Sequence, residues 1–196
     1  STSNCGIIYM DFLPAAKVTR LDTNLKAFVL GNSGQPKNTK FILSHVKDRI
    51  LKVDSILKKV YPNFSLQSIQ LADIPKFKNY LTESEYKILD GTIKNRDLTY
   101  IAKQELEKQY PDHYLIGKLL NEHHFVLSNV LGISTPKIDG MIKSAIDGGA
   151  YGGKINGSGG GGCMFAYAPD DTERVKIAIE NAGGETYIFY ADFGSR

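Results

Sequence analysis

The chain has 196 residues, 42% of them hydrophobic and 23% charged, with 24 Lys and Arg against 21 Asp and Glu for a net charge of +3. That length supports a core without disulfides, the composition excludes a disordered or fibrous chain, and the interspersed charge gives no reason to expect a nucleic-acid partner. The apolar runs, such as residues 6–12, fall far short of the roughly 20 residues that a membrane-spanning helix needs, so no membrane role is expected. Cys5 and Cys163 lack metal-ligand spacing, and no secretory signal is visible at Ser1–Gly6, which together lead to the expectation of a reducing, cytoplasmic compartment. The start at Ser1 rather than Met allows the chain to be a piece of a longer protein.

Residues 6–12 and 26–31 are short runs rich in β-branched and aromatic residues and read as strands. From Asn38 or Thr39, either of them a good N-cap, Ile42, Val46, Ile50, Val53 and Leu57 recur at helical spacing and predict a helix to about Val60. Residues 61–80 carry two prolines and no clean period, so loop with short helical pieces is expected. Thr82-Glu83-Ser84-Glu85 is a capping box opening a long helix to about Lys108. Asp112 caps a further apolar-periodic stretch ending near Gly132, and Thr135-Pro136 opens a helix closed by Gly148-Gly149. Residues 163–168 read as a strand. A helix capped by Asp170 or Asp171 and stopped by Gly183-Gly184 follows, and then a final strand over 186–191. Strands at both ends of a helical middle predict an α+β fold with an antiparallel sheet and packed helices. No internal repeat or linker is evident.

Nine of the chain's 19 glycines fall between Gly148 and Gly162. Successive glycines let backbone N–H groups converge on an anion that side chains would keep away, and phosphate is the natural guest. The bland alternative is a tight turn between strands. Gly157, Gly159 and Gly162 satisfy G-x-G-x-x-G, but a strand follows instead of the helix that a dinucleotide site requires. A Walker loop would need Gly-Lys-Ser/Thr where Gly162-Cys163-Met164 stands, and a nucleophile elbow around Ser158 would need glycine at Asn156. Adjacent His123 and His124 diverge by about 100° on a helix and cannot share a metal, so packing or surface roles are expected for them. No metal site is expected. Asn32-Ser33-Gly34, directly after a strand, is either an ordinary turn or a binding loop.

Residues 154–168, in which Asn156-Gly157-Ser158-Gly159-Gly160-Gly161-Gly162-Cys163 runs into an apolar strand, resemble the third motif of the GHMP small-molecule kinases. Leu120-Asn121-Glu122-His123 and residues 131–139 resemble the segment preceding that motif in galactokinases and mevalonate kinases. Residues 6–12 resemble a galactokinase strand, and residues 32–40 are closer to a mevalonate kinase loop. The resemblance implies a ferredoxin-like C-terminal domain over 36–196, with residues 1–35 contributing strands that continue from a missing N-terminal domain. It implies ATP and Mg²⁺ as cofactors, with Gly157, Ser158, Gly159, Gly160, Gly161 and Gly162 supporting the nucleotide phosphates and Ser33, Gly34 and Thr39 close to the acceptor. The family's phosphate loop and its Asp-bearing segment do not occur here, so no catalytic residue is assigned and the isolated chain is expected to be inactive. The Tyr-Asn-x-Arg-Arg pattern of galactokinases is absent near residues 38–49. Residues 95–99 and the ending from Tyr187 to Arg196 are nevertheless more similar to sugar kinases. The expected acceptor is therefore a small sugar of the galactose type, with mevalonate or another sugar as the alternative. A catalytically silent sensor or binding module is the alternative of another class.

Overall fold

The computed structural model describes residues 6–12, 15–37 and 39–191. Asn38, Cys5 and the chain's last five residues lie outside the described residues, so the N-cap alternative at Asn38 and part of the C-terminal resemblance do too. Two short strands, β1 (Ile7–Asp11) and β2 (Lys17–Leu21), form an antiparallel hairpin with Ile7 opposite Leu21. β2 was not expected from sequence, because Lys17-Val18-Thr19-Arg20-Leu21 alternates with charge and buries only Leu21 fully.

A four-stranded antiparallel sheet holds β3 (Phe28–Asn32), β4 (Gly152–Ile155), β5 (Cys163–Tyr167) and β6 (Glu185–Phe189) in the order β4-β5-β3-β6. With the intervening helices this is the split βαββαβ arrangement of ferredoxin-like domains. β3 is interior and pairs with β5 on one side and β6 on the other, so residues on both sides of position 35 share one sheet.

The helices after the first follow the predicted caps. α1 spans Thr39–Val60, and its stripe places Val53 and Leu57 in the core with Ile42, Val46 and Ile50 packed against it. Residues 61–80 are less irregular than expected: Leu71–Tyr80 is a 3₁₀ helix that buries Ile74 and Phe77. α2 (Glu83–Leu106) opens on the capping box, in which the Glu85 N–H donates to Thr82 Oγ1 and the Thr82 N–H donates to Glu85 Oε2. α3 spans His113–Phe125, capped by Asp112. The periodic stretch expected to reach Gly132 continues past α3 as a π-helical turn, Val126–Val130, closed by the Leu131 N–H donating to the Val126 carbonyl. α4 (Pro136–Asp147) is capped by Thr135 and α5 (Thr172–Asn181) by Asp171.

α4 and α5 cover one sheet face. There Val29, Ile155, Met164 and Ala166 join Ile138, Met141, Ile142, Val175 and Ile179 in the main core. Burying a side chain of this size stabilises the fold by about 1.5–3 kcal/mol. The packing is so close that a Cβ on Gly31 would lie 2.8 Å from Ile179 Cγ2. On the other face Phe28, Tyr167 and Ile116 of α3 form a second, aromatic cluster, with the Phe28 and Phe189 rings stacked at 5.3 Å. No described helix is long and apolar enough to cross a membrane.

Candidate functional site

The hairpin between β4 and β5 is built by its glycines. Gly157, Gly159, Gly160, Gly161 and Gly162 all have positive φ, from 73° at Gly160 to 126° at Gly161, and no described residue other than glycine does. L-residues pay roughly 1–2 kcal/mol each in the left-handed region, so only glycine can supply such a run. The Asn156 N–H donates to the Cys163 carbonyl at 2.9 Å and closes the base of the loop.

The segment joining β3 to α1 grips this loop from the side. The Gly162 carbonyl accepts from the Ser33 N–H at 2.8 Å and from Ser33 Oγ at 2.6 Å, while the Gly162 N–H donates to the Gln35 carbonyl at 3.0 Å. Lys37 Nζ donates to the Asn156 carbonyl at 3.2 Å, and its stem lies across Gly162, where a Cβ would overlap its Cε. Ser158 Oγ donates to Oγ1 of Thr39, the first residue of α1, at 3.1 Å. The gripping segment is held in turn by the start of α4: Thr135 Oγ1 donates to Gln35 Oε1 at 2.6 Å and Lys137 Nζ to the Ser33 carbonyl at 2.7 Å. On the far side, the Gly160 N–H donates to the Ile133 carbonyl at 2.7 Å.

Sequence reasoning singled out Ser33, Gly34 and Thr39 on one segment and Gly157–Gly162 on another, and the structure brings the two together. Ser33 is buried, with its hydroxyl taken up by Gly162 and by the Gln35 N–H, so it braces the loop. Gly34 is exposed with φ of +67°, and nothing lies within 4 Å of where its Cβ would be. The Gln35–Thr135 contact and the position of Lys37 against the loop were not visible in the sequence. Lys37 lies within the segment 32–40 that resembles a mevalonate kinase loop, but nothing in its type indicates which loop it would reach.

Among the described residues the N–H groups of Gly159 and Gly161 meet no acceptor. Unengaged N–H groups on a glycine loop with an ammonium on its Asn156 carbonyl suit an anion of phosphate type. No group of three or more His, Cys, Asp or Glu suited to a metal occurs among the described residues. The donor groups of the described residues thus suit phosphates.

The surrounding charges are unusual. Lys154 on β4 stands over the Phe165 ring at 5.3 Å, and burial pushes its ammonium pKa down. His123 is pushed down to about 4, chiefly by burial and then by the charge of Lys154, and stays neutral near pH 7. His124, expected to have a packing or surface role, is hydrogen-bonded to Asp139 at 3.0 Å.

Residues 102–184 match the family model described as GHMP kinases C terminal. The mevalonate kinase of Thermococcus gammatolerans is 47% identical over 73 residues, which are 37% of this chain and 22% of that protein. The mevalonate kinase of Pyrococcus abyssi is 35% identical over 116 residues, 59% of this chain and 32% of the relative. Among solved structures, Lactococcus lactis galactokinase complexed with galactose superposes with a TM-score of 0.76 at 19% identity, covering 98% of this chain and 52% of that one. The chain thus spans less than a third of these curated relatives and about half of the galactokinase. Residues 102–184, which include α3, α4 and the glycine loop between β4 and β5, match the C-terminal domain of the GHMP kinases, and the antiparallel sheet with its packed helices agrees with that match.

Proposed function

We propose that this chain is the C-terminal part of an ATP-dependent kinase that phosphorylates a hydroxyl group of a small molecule, with Gly157–Gly162 supporting the nucleotide phosphates. The observation that carries this reading is the glycine loop itself, held by Ser33, Gln35 and Ile133, with no acceptor among the described residues for the N–H groups of Gly159 and Gly161 and with Lys37 at its rim. Bound ATP supplies the phosphoryl group. The chain's own residues fix the loop, present N–H donors and add one cation at Lys37, which is the positioning and charge stabilisation that phosphoryl transfer depends on. The remaining groups, including those that hold Mg²⁺ and activate the acceptor, belong in this reading to an N-terminal domain that the β1–β2 hairpin continues.

For the acceptor, a small sugar of the galactose type is the reading drawn from residues 95–99 and from the C-terminal stretch. The 47% identity to a mevalonate kinase favours mevalonate as a second reading. Ser33 is engaged inside the loop, so Gly34 and Thr39 remain the candidates to approach the acceptor. Titrating the complete polypeptide with Mg-ATP and assaying phosphorylation of galactose and of mevalonate tests both levels. ATP binding that is lost when Gly161 is replaced by Val supports the loop's role, and unchanged binding in that variant removes it.

A further inference from the structure

β4 is an edge strand, and the groups on its outer edge are not left to solvent. Pairing with β5 leaves the N–H groups of Gly153 and Ile155 pointing away from the sheet. α3 lies along that edge and meets both with side chains one turn apart. The Gly153 N–H donates to Asn121 Oδ1 at 2.9 Å, Asn121 Nδ2 donates to the Tyr151 carbonyl at 3.3 Å, and the Ile155 N–H donates to His124 Nδ1 at 3.4 Å. Ile155 is the last residue of the strand before the glycine loop begins at Asn156.

His124 can accept at Nδ1 only as the neutral ring with its proton on Nε2. The other side of the ring enforces that tautomer: Nε2 donates to Asp139 Oδ1 at 3.0 Å, and Asp139 Oδ2 accepts from Ser128 Oγ at 2.9 Å. α3, α4 and the π-helical turn thus converge on one imidazole whose free lone pair faces the strand.

We propose that Asn121 and His124 clamp the outer edge of β4 and thereby position the glycine loop, and that the clamp works only while His124 is neutral at Nδ1. His124 is a positioning residue, because it touches the strand and not the ligand. Protonation would turn Nδ1 from acceptor into donor against the Ile155 N–H and release the end of the strand. The charged groups facing the ring are Asp139 from α4, which favours the protonated form, and Lys154 from β4, which opposes it; His123 on α3 is neutral. Lys143 and Asp147 line the same cavity but pair with each other at 2.6 Å. Burial outweighs Asp139 and holds the His124 pKa below the ordinary value. The clamp is therefore closed at neutral pH and opens in mild acid.

The consequence for nucleotide rests on the phosphate-loop reading, whereas the clamp itself is measured without nucleotide. Asn places its Oδ1 near the position of imidazole Nδ1 and does not titrate, and Gln reaches the Nε2 position instead. Amide exchange of the 196-residue chain should show Ile155 protected above the ordinary histidine value and losing protection as the pH falls below it. H124N should keep Ile155 protected on both sides of that value, and H124Q should lose the protection on both. In the complete polypeptide, H124Q should weaken Mg-ATP binding by roughly fivefold to tenfold, the size of one lost hydrogen bond, and H124N should restore it. The ratio of wild-type to H124N affinity should fall with pH, which removes the nucleotide's own titration from the comparison. Equal Ile155 exchange in wild type and H124Q overturns the clamp. Clamp behaviour as stated, in a polypeptide that binds no nucleotide, leaves the clamp standing and overturns the phosphate-loop reading.

Discussion

Ser33 and Gly162, 129 positions apart, share one carbonyl: the Gly162 oxygen accepts from both the N–H and the Oγ of Ser33, at 2.8 and 2.6 Å. The same hydroxyl accepts from the Gln35 N–H at 3.2 Å, so one buried side chain fixes the gripping segment and the loop together. S33A keeps the backbone bond and loses both hydroxyl bonds, leaving the Gln35 N–H without its partner. The expected cost is about 1–3 kcal/mol of stability. Urea unfolding of S33A measures it, and a midpoint unchanged from wild type would show that the hydroxyl bonds contribute nothing net.

Gly159 and Gly34 separate backbone strain from steric overlap. Both have positive φ, +83° and +67°, but a Cβ on Gly159 would overlap the Ile133 carbonyl, whereas nothing lies within 4 Å of one on Gly34. G34A should therefore cost only the left-handed penalty of about 1–2 kcal/mol. G159A should cost clearly more, and should also break the Gly160–Ile133 bond that holds the far side of the loop. Thermal unfolding of the two variants side by side checks the order. Equal melting temperatures would mean that the loop gives way without resistance.

A second close approach lies where α3 crosses β4. A Cβ on Gly117 would sit 2.5 Å from the backbone of Tyr151, and one on Gly152 would overlap the Gly117 carbonyl. Neither position has positive φ, so the glycines are needed for proximity and not for conformation. G152A should push α3 off the strand and destabilise the chain by more than the roughly 1 kcal/mol of a typical substitution. Solubility and the denaturation midpoint of G152A are the readouts.

These positions also mark what the sequence could reveal. The glycine loop was legible because a run of left-handed residues leaves one amino acid as the solution. α1, α2, α4 and α5 were legible because an apolar stripe and a capping residue are local signals. β4 was legible only indirectly, as the strand that a tight loop at Gly157–Gly162 between two strands requires before it: Gly-Gly-Lys-Ile has little strand propensity of its own, and its extended form comes from β5 on one edge and from Asn121 and His124 on the other. His124 gave no signal of that kind, since a histidine on a helix is usually a packing or surface residue. The Gln35–Thr135 contact joins residues 100 positions apart, and such pairings exist only once the sheet has formed. The C-terminal end of the predicted helix at Gly132 missed the π-helical turn because i→i+5 bonding leaves no periodic trace over five residues.

The cap of α2 makes the chain sensitive to acid. Glu85 accepts from the Thr82 N–H, Thr82 Oγ1 and Lys52 Nζ, and these partners, the backbone bond first, hold its pKa at about 2. The folded value lies below the unfolded one near 4.5, so the stabilisation is complete above the unfolded value and is lost as pH falls toward 2. E85Q should flatten that part of the stability profile, and T82A should lower stability by about 0.5–2 kcal/mol through loss of the N-cap. Melting temperatures of wild type and E85Q across the acid range check this. A profile in E85Q that still falls in parallel with wild type would assign the acid sensitivity to other carboxylates.

The last expectation concerns activity. The 196-residue chain provides the glycine loop and Lys37, but the phosphate loop and Asp-bearing segment of the GHMP kinases do not occur in its sequence, so it should not turn over ATP with any acceptor. The complete polypeptide should do so, and Lys37 should matter for the nucleotide more than for the acceptor, because its ammonium sits at the rim of the loop. K37M should then raise the KM for Mg-ATP by roughly tenfold, in proportion to one lost charge-assisted contact, with a smaller change in the KM for galactose or mevalonate. K37R should recover most of the loss, since a guanidinium reaches the same phosphates. A rise confined to the acceptor would move Lys37 to the acceptor side of the cleft. With mevalonate as that acceptor, the same result would identify the cation as the partner of its carboxylate and displace the sugar reading. Turnover by the isolated chain would show that the machinery of transfer lies within these 196 residues after all.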